Sequence, residues 1–102
     1  MAGLGKMLKQ AQKMQKKIES LQEELNDREM VVASGGGAVT VTLTVSGDIK
    51  GLKIDPELLK EEASLVEETL LEAVKEAAAQ AKKLNDEEMA KATEGFSMPG
   101  MM

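Results

Sequence analysis

In the middle of the chain, within the stretch Ala38–Val45, apolar and polar side chains alternate strictly from Val39 onwards. Valine or leucine occupies every second position, and threonine occupies the positions between them. This period of two, built largely from β-branched residues, predicts a half-buried strand. The glycine run at residues 35–37 precedes the strand and Ser46-Gly47-Asp48 follows it, so a tight connection is expected at each end.

Two shorter apolar stretches flank this strand and predict its neighbours in a small antiparallel sheet. They are residues 30–34 and residues 49–54. Asp55-Pro56 is expected to end the third strand and to begin a short helical turn that runs to about Lys60, because aspartate caps helices well and proline suits the first helical position. The glycine run is not followed by Lys-Ser or Lys-Thr, which favours a hairpin connection over a phosphate-binding loop.

A long helix is predicted before the sheet, from Leu4 to about Asn26, because apolar residues recur there at spacings of three and four. This seam consists of Leu4, Met7, Ala11, Met14, Ile18, Leu21 and Leu25. At 1.5 Å per residue the helix is roughly 35 Å long, which is more than a small sheet can cover. A second helix is therefore expected to pack along the seam.

That second helix is predicted after the helical turn. Residues 64–67, Ser-Leu-Val-Glu, have the pattern of a capping box, and Gly95 predicts a stop near Glu94. Alanines are concentrated in its middle and are expected to face the seam of the first helix. Both helices extend away from the sheet, and the first runs towards it while the second runs from it, so they are expected to pair antiparallel. The acidic half of the first helix is then expected to lie beside the acids of residues 67–76.

The first helix is divided by charge. Its first half carries five lysines and no acidic residue, and its acidic residues begin at Glu19. This order opposes the helix dipole, which favours acids near the N-terminus. A functional role for the lysines and a merely solvated face both remain open at this point.

Composition narrows the chemistry further. The 102 residues fit one domain whose core is marginal, so oligomerisation is expected. The chain has no cysteine and no histidine, which removes disulfides, thiol nucleophiles and most transition-metal sites. We expect neither an enzyme, nor a cofactor or metal, nor a membrane-spanning segment, and we expect a cytoplasmic protein. The net charge of −5 argues against nucleic acid as a partner, but the charge is unevenly distributed, and its lysine-rich part is compatible with such a partner.

Three segments together resemble one known family. They are Gly35-Gly36-Gly37 with the following Val-Thr-Val, the run Ile54-Asp55-Pro56-Glu57-Leu58-Leu59, and the closing Gly95…Pro99-Gly100. In this order and spacing, with the Lys- and Met-rich first helix, they are similar to the YbaB/EbfC family of bacterial nucleoid-associated proteins over nearly the whole chain. The resemblance implies an α+β domain at residues 1–96, a flexible tail at residues 97–102, and a tweezer-like homodimer in the cytoplasmic nucleoid.

The resemblance also implies binding of double-stranded DNA, without a small-molecule substrate. Because arginine is nearly absent, we expect mainly phosphate contacts with low sequence specificity. The expected contacts are Lys6, Lys9, Lys13, Lys16 and Lys17, with Lys82, Lys83 and Lys91 as secondary ones. The acidic net charge is expected to limit affinity. The alternative is a protein-interaction module or chaperone-like helical oligomer, since prefoldin-type subunits also combine a helix, a hairpin and a helix, and methionine-rich surfaces adapt to varied partners.

Overall fold

Two long helices flank a three-stranded sheet. The computed structural model describes residues 2–94. Its elements in chain order are α1 (Ala2–Asp27), β1 (Glu29–Ser34), β2 (Val39–Thr44), β3 (Ile49–Ile54), a 3₁₀ turn (Leu58–Lys60) and α2 (Ala63–Thr93). This order confirms the predicted α+β arrangement. The stop at Gly95 and the tail at residues 97–102 lie outside the described residues.

The sheet is antiparallel, with the strand order β1-β2-β3. The central strand buries alternate residues: Val39, Val41 and Leu43 are fully inaccessible to solvent. The predicted inner face of this strand is therefore confirmed. Along the edge of β2 that pairs with β3, Thr42 pairs with Gly51 while Leu43 pairs with Ile49. The residue between these two partners is therefore left unpaired and forms a bulge in β3.

Both strand connections use glycine in conformations that other residues rarely adopt. The residues of the run at 35–37 have φ angles of 62°, 68° and 92°, and Gly47 has a φ of 100°. Gly37 donates its N–H to the carbonyl of Ser34 at 3.2 Å, which closes the first connection. In the second, the hydroxyl of buried Thr44 accepts a hydrogen bond from the N–H of Asp48 at 3.0 Å. The hairpin interpretation of the glycine run is confirmed.

The alanine-rich side of α2 packs against the sheet. Ala73, Ala77 and Ala81 are at most 1% exposed and belong to one apolar cluster. The buried sheet and turn residues of that cluster are Val32, Val39, Val41, Leu43 and Leu58. The prediction that these alanines face α1 is therefore wrong. Side chains that end at Cβ let the helix lie close to the sheet, where more apolar surface is available than on the narrow seam of α1.

α1 packs against the second half of α2. Its Gln22 lines one cleft together with Lys82 and Asp86 of α2, and Nη1 of Arg28 lies 3.5 Å from Oε1 of Glu88. The sequence predicted that the acidic half of α1 lies beside residues 67–76, and this prediction is wrong. The first half of α2 is occupied by the sheet, so only the later turns of α2 remain for α1.

The apolar seam of α1 is covered along only part of its length. Leu25 is fully buried, and Met14, Ile18 and Leu21 are half-buried. Every residue from 3 to 13 is exposed. The predicted helix pair thus forms only over the C-terminal half of α1. Its first turns extend away from the rest of the fold, consistent with a longest dimension of 71 Å.

The two predicted helix starts, at Asp55-Pro56 and at Ser64, differ in how well they agree with the structure. Oδ1 of Asp55 accepts the N–H of Glu57 and the carbonyl of Asp55 accepts the N–H of Leu58, both at 3.0 Å, so the chain turns at the Asp-Pro pair as predicted. The regular 3₁₀ helix begins only at Leu58, with Glu57 and not Asp55 as its N-cap. α2 begins at Ala63 with Glu62 as its N-cap and without a side-chain cap hydrogen bond. Ser64 therefore lies inside the helix, and the capping-box prediction is wrong.

Substitution of Ala77 tests the tight contact between helix and sheet. Because Ala77 is fully buried against the sheet, Ala77→Leu is expected to lower the free energy of unfolding by about 1–3 kcal/mol through overpacking. Urea denaturation followed by circular dichroism measures the change. The exposed Ala79 on the same helix provides the control, since Ala79→Leu should change stability by less than about 0.5 kcal/mol. Equal effects of the two substitutions would contradict this packing.

Candidate nucleic-acid interface

Five exposed lysines occupy the part of α1 that extends from the fold. Four of them follow one another at spacings of three and four residues, which places them on one side of the helix, and the fifth adjoins them. We call Lys6, Lys9, Lys13, Lys16 and Lys17 the lysine tip. The part of α1 that carries the lysine tip, from Ala2 to Ile18, contains no aspartate or glutamate. The structure therefore brings the five predicted primary contacts together on one exposed surface.

Most of the lysine tip is not engaged by the carboxylates of the protein. Within residues 2–94, ion pairs shorter than 4.0 Å are formed by Arg28, Lys50, Lys60 and Lys82. None of these pairs includes Lys6, Lys9, Lys13 or Lys16. These ammonium groups are thus available to an external anion.

Distance separates the lysine tip from the acidic body. The nearest acidic residue along the helix is Glu19, and Lys6 lies about 20 Å away from it along the helix axis. Electrostatic interactions in physiological salt decay over about 8 Å. Repulsion of a polyanion by the acidic body is therefore strongly screened at the end of the tip and strongest near Lys16. The net charge of the chain is a poor guide to the potential at this surface.

The apolar side of the same turns faces the opposite way. Leu4, Met7 and Leu8 are 62%, 56% and 59% exposed. At about 100° per residue, their mean direction is roughly opposite to that of the lysines. A polyanion held by the lysines would leave this apolar side uncovered.

The three predicted secondary lysines are not part of the lysine tip. Nζ of Lys82 lies 3.9 Å from Oδ2 of Asp86, and Lys82 also lines the cleft beside Gln22 near the end of the sheet. Lys83 shares an open groove with Asp86 and Glu87. Lys91 is exposed near the end of α2. Nearby acids reduce the positive potential around Lys82 and Lys83, so their attraction for phosphate is weaker than that of the lysine tip.

Another exposed surface escaped the sequence analysis. α2 packs against β1 and β2, whereas Ile49 and Leu52 of the edge strand β3 are 48% and 49% exposed. Both residues lie on the same side of the sheet as the buried Val41 and Leu43, with which they pair. The alternation of β3 cannot reveal this exposure, because it depends on where α2 lies.

The same strand carries two lysines that the sequence analysis did not single out. Nζ of Lys50 lies 3.0 Å from Oδ2 of Asp48. This hydrogen bond, and the attraction of the carboxylate, raise the pKa of Lys50 above its usual value. Lys53 is exposed on the opposite face of the sheet from Ile49 and Leu52. Lysines on an edge strand discourage uncontrolled strand addition.

Residues 2–94 offer little support for other kinds of site. No group of three or more acidic residues within this range could hold a metal ion. No helix of the described chain is long and apolar enough to cross a membrane. The lysine tip, the apolar side of the same turns of α1, and the exposed Ile49 and Leu52 therefore remain as candidate binding surfaces of the described residues. We call the surface formed by Ile49 and Leu52 the uncovered side of β3.

Comparison with known proteins identifies relatives of the whole domain. The model of the YbaB/EbfC DNA-binding family matches residues 1–96. Among solved structures, the fold is similar to the crystal structure of uncharacterized protein HP0035 from Helicobacter pylori, with a TM-score of 0.66 and 25% sequence identity. The match covers 85% of this chain and 89% of that chain.

Proposed function

The chain belongs to the YbaB/EbfC DNA-binding family, and from this membership we propose that it is a nucleoid-associated protein that binds double-stranded DNA as a homodimer. It acts in the cytoplasm, where it contributes to the organisation of the nucleoid. A DNA-binding family is not an enzyme family, so the proposal assigns it no reaction. The lysine tip provides the main contacts, and these are with the phosphate backbone.

The observation that carries this proposal is the exposure of a lysine-only helix end. Phosphate contacts require cations that are accessible and not neutralised by neighbouring carboxylates. Lys6, Lys9, Lys13 and Lys16 meet both conditions. A helix that projects from its domain can also approach a duplex without bringing the acidic body into contact.

Low sequence specificity follows from the side chains available. Arginine is the side chain that most often reads guanine in the major groove. The only arginine of the chain is Arg28, which lies beside Glu88 at the other end of α1. A lysine that contacts phosphate acts as a point charge, and such a contact carries no information about the bases. Lys82, Lys83 and Lys91 add weaker contacts of the same kind.

The uncovered side of β3 supports the homodimer. Ile49 and Leu52 are half exposed although they continue the apolar side of the sheet, and the 3₁₀ turn that follows adds Leu59, which is 60% exposed. β3 is also an edge strand, so the backbone groups that point away from β2 have no strand to pair with. A second copy related by a twofold axis would cover the same residues on both chains and would place two lysine tips on one particle.

A salt titration tests the proposal most directly. We expect anisotropy of a labelled duplex of about 20 base pairs to show binding whose log Kd rises linearly with log salt. The slope should approach about 3.6 if Lys6, Lys9, Lys13 and Lys16 of one tip engage and about 7.2 if those of both tips engage, at about 0.9 per phosphate contact. A scrambled duplex should compete equally. Absence of binding at low salt would refute the proposed DNA function and favour a protein partner instead.

A further inference from the structure

The apolar side of the first turns of α1 has no cover among residues 2–94. It consists of Leu4, Met7 and Leu8, each more than half exposed. The same seam continues through Met14, Ile18 and Leu21, which are half-buried, to the fully buried Leu25. One continuous apolar stripe is therefore covered at one end and bare at the other.

DNA does not account for the bare end of the stripe. The lysine tip points roughly the opposite way around the helix, so a duplex held by the lysines leaves Leu4, Met7 and Leu8 facing away from it. Exposed side chains of this size gain free energy when they leave water, at about 25 cal/mol per Å² of apolar surface. A separate apolar occupant fits this surface.

The chain itself provides a suitable occupant just beyond α2. α1 is the element that packs on α2 past the sheet, and α2 remains partly buried up to its end, with Met89 half-buried and Ala92 only 9% exposed. The residues that follow, 95–102, read Gly-Phe-Ser-Met-Pro-Gly-Met-Met and contain no charged side chain. They hold four large apolar residues, including three methionines, whose flexible side chains fill irregular surfaces.

The length of this segment is sufficient. Eight residues reach up to about 27 Å when extended. The seam from Met14, where coverage begins, back to Leu4 is about 15 Å long. A segment that leaves α2 beside the covered half of the seam can therefore reach the whole of the bare half.

We propose that residues 95–102 dock on Leu4, Met7 and Leu8 of the same chain and continue the cover that α2 begins. The docked segment stiffens the projecting turns of α1 and leaves the lysine tip open on the opposite side. This inference does not depend on DNA binding, because it concerns a contact within the free protein.

Engineered cysteine pairs provide a clean test, because the chain contains no native cysteine. The double variant Leu8→Cys with Met98→Cys is expected to form an intramolecular disulfide under mild oxidation, detected as a loss of 2 Da in the monomer mass. The matched control is Lys9→Cys with Met98→Cys, which has almost the same tether but places the first thiol on the lysine side. We expect the first pair to close at least about ten times faster.

Other results would overturn the proposal. Equal rates for the two pairs would mean that the segment has no preference for the apolar side. Rapid disulfide dimers of the single variant Leu8→Cys would mean that a second copy occupies this surface. Because residues 3–13 are exposed, the substitutions on α1 leave the folded core intact. A second pair, Leu4→Cys with Met101→Cys, should also close faster than Lys9→Cys with Met101→Cys, and equal rates there would again contradict docking.

Discussion

Replacement of Lys9, Lys13 and Lys16 by glutamate is expected to weaken DNA binding by two to three orders of magnitude at about 0.1 M salt for each lysine tip that engages the duplex. Each phosphate contact contributes a factor of roughly 8 at this salt concentration, because the binding constant varies with salt to the power of about −0.9 per contact. The loss should be the same for every duplex sequence, since phosphates are common to all of them. The slope of log Kd against log salt should fall by about 2.7 for each lysine tip that engages.

The control must separate local contact from total charge. Lys75 is an exposed lysine of α2 that lies outside the lysine tip and outside the proposed dimer surface. Lys75→Glu changes the net charge by the same amount as the single variant Lys13→Glu, which should weaken binding by about one order of magnitude for each lysine tip that engages. If Lys75→Glu weakens binding as much as Lys13→Glu, the long-range field of the protein dominates and the lysine tip is not the interface. If neither variant changes binding, DNA contacts another surface.

Replacement of Leu52 by glutamate is expected to dissociate the homodimer. In the proposed interface Leu52 lies on the uncovered side of β3. Because the two copies are related by a twofold axis, the substitution would place two new charges in the interface, one from each copy. An unpaired charge in an apolar interface costs several kcal/mol, so the dimer should weaken by at least about 10³-fold. Sedimentation analysis should report a mass near 10.9 kDa instead of about twice that value. DNA affinity should also fall, by about 10²- to 10⁴-fold, because the two lysine tips no longer act together.

Leu71 offers a closely matched control for this experiment. It is 54% exposed, compared with 49% for Leu52, but it lies on α2 and not on β3. Leu71→Glu should leave both the mass and the DNA affinity unchanged. A dimer that survives Leu52→Glu would show that the copies join elsewhere, and dissociation by Leu71→Glu would identify the outer side of α2 as that place. Circular dichroism should report folded protein for both variants, since both side chains are already half exposed in the single chain.

The elements of this fold could be predicted because their signals are local. The alternation around Val41 defines a strand from side-chain direction alone, and the positive φ of Gly47 marks a turn that few other residues permit. The bounds of β3 and the turn after Asp55 agree with prediction for the same reason. The clustering of the lysine tip is equally local, because residues three or four apart on a helix share a side wherever the helix lies.

The partners of each surface could not be predicted in this way. Ala73, Ala77 and Ala81 form a stripe that suits either a helix or a sheet, and the sequence gives no means of choosing between them. Likewise, Leu52 has the hydrophobic character of a core residue and Leu4 has that of a seam residue, yet both are about half exposed or more. Periodicity reports which residues share a side, but it does not report what covers that side.

The sequence by itself determined the order of helices and strands, the register-setting glycine turns and a lysine-only surface on α1. Only the tertiary structure decided that α2 lies over β1 and β2, that α1 meets the second half of α2, and that the first turns of α1 extend into solvent. The physical reason is competition for a limited apolar area. The sheet takes the alanine side of α2, and the remaining length of α2 covers only part of the seam of α1. The surfaces left over, on β3 and at the end of α1, are the ones to which we assign the second copy and the apolar segment at residues 95–102.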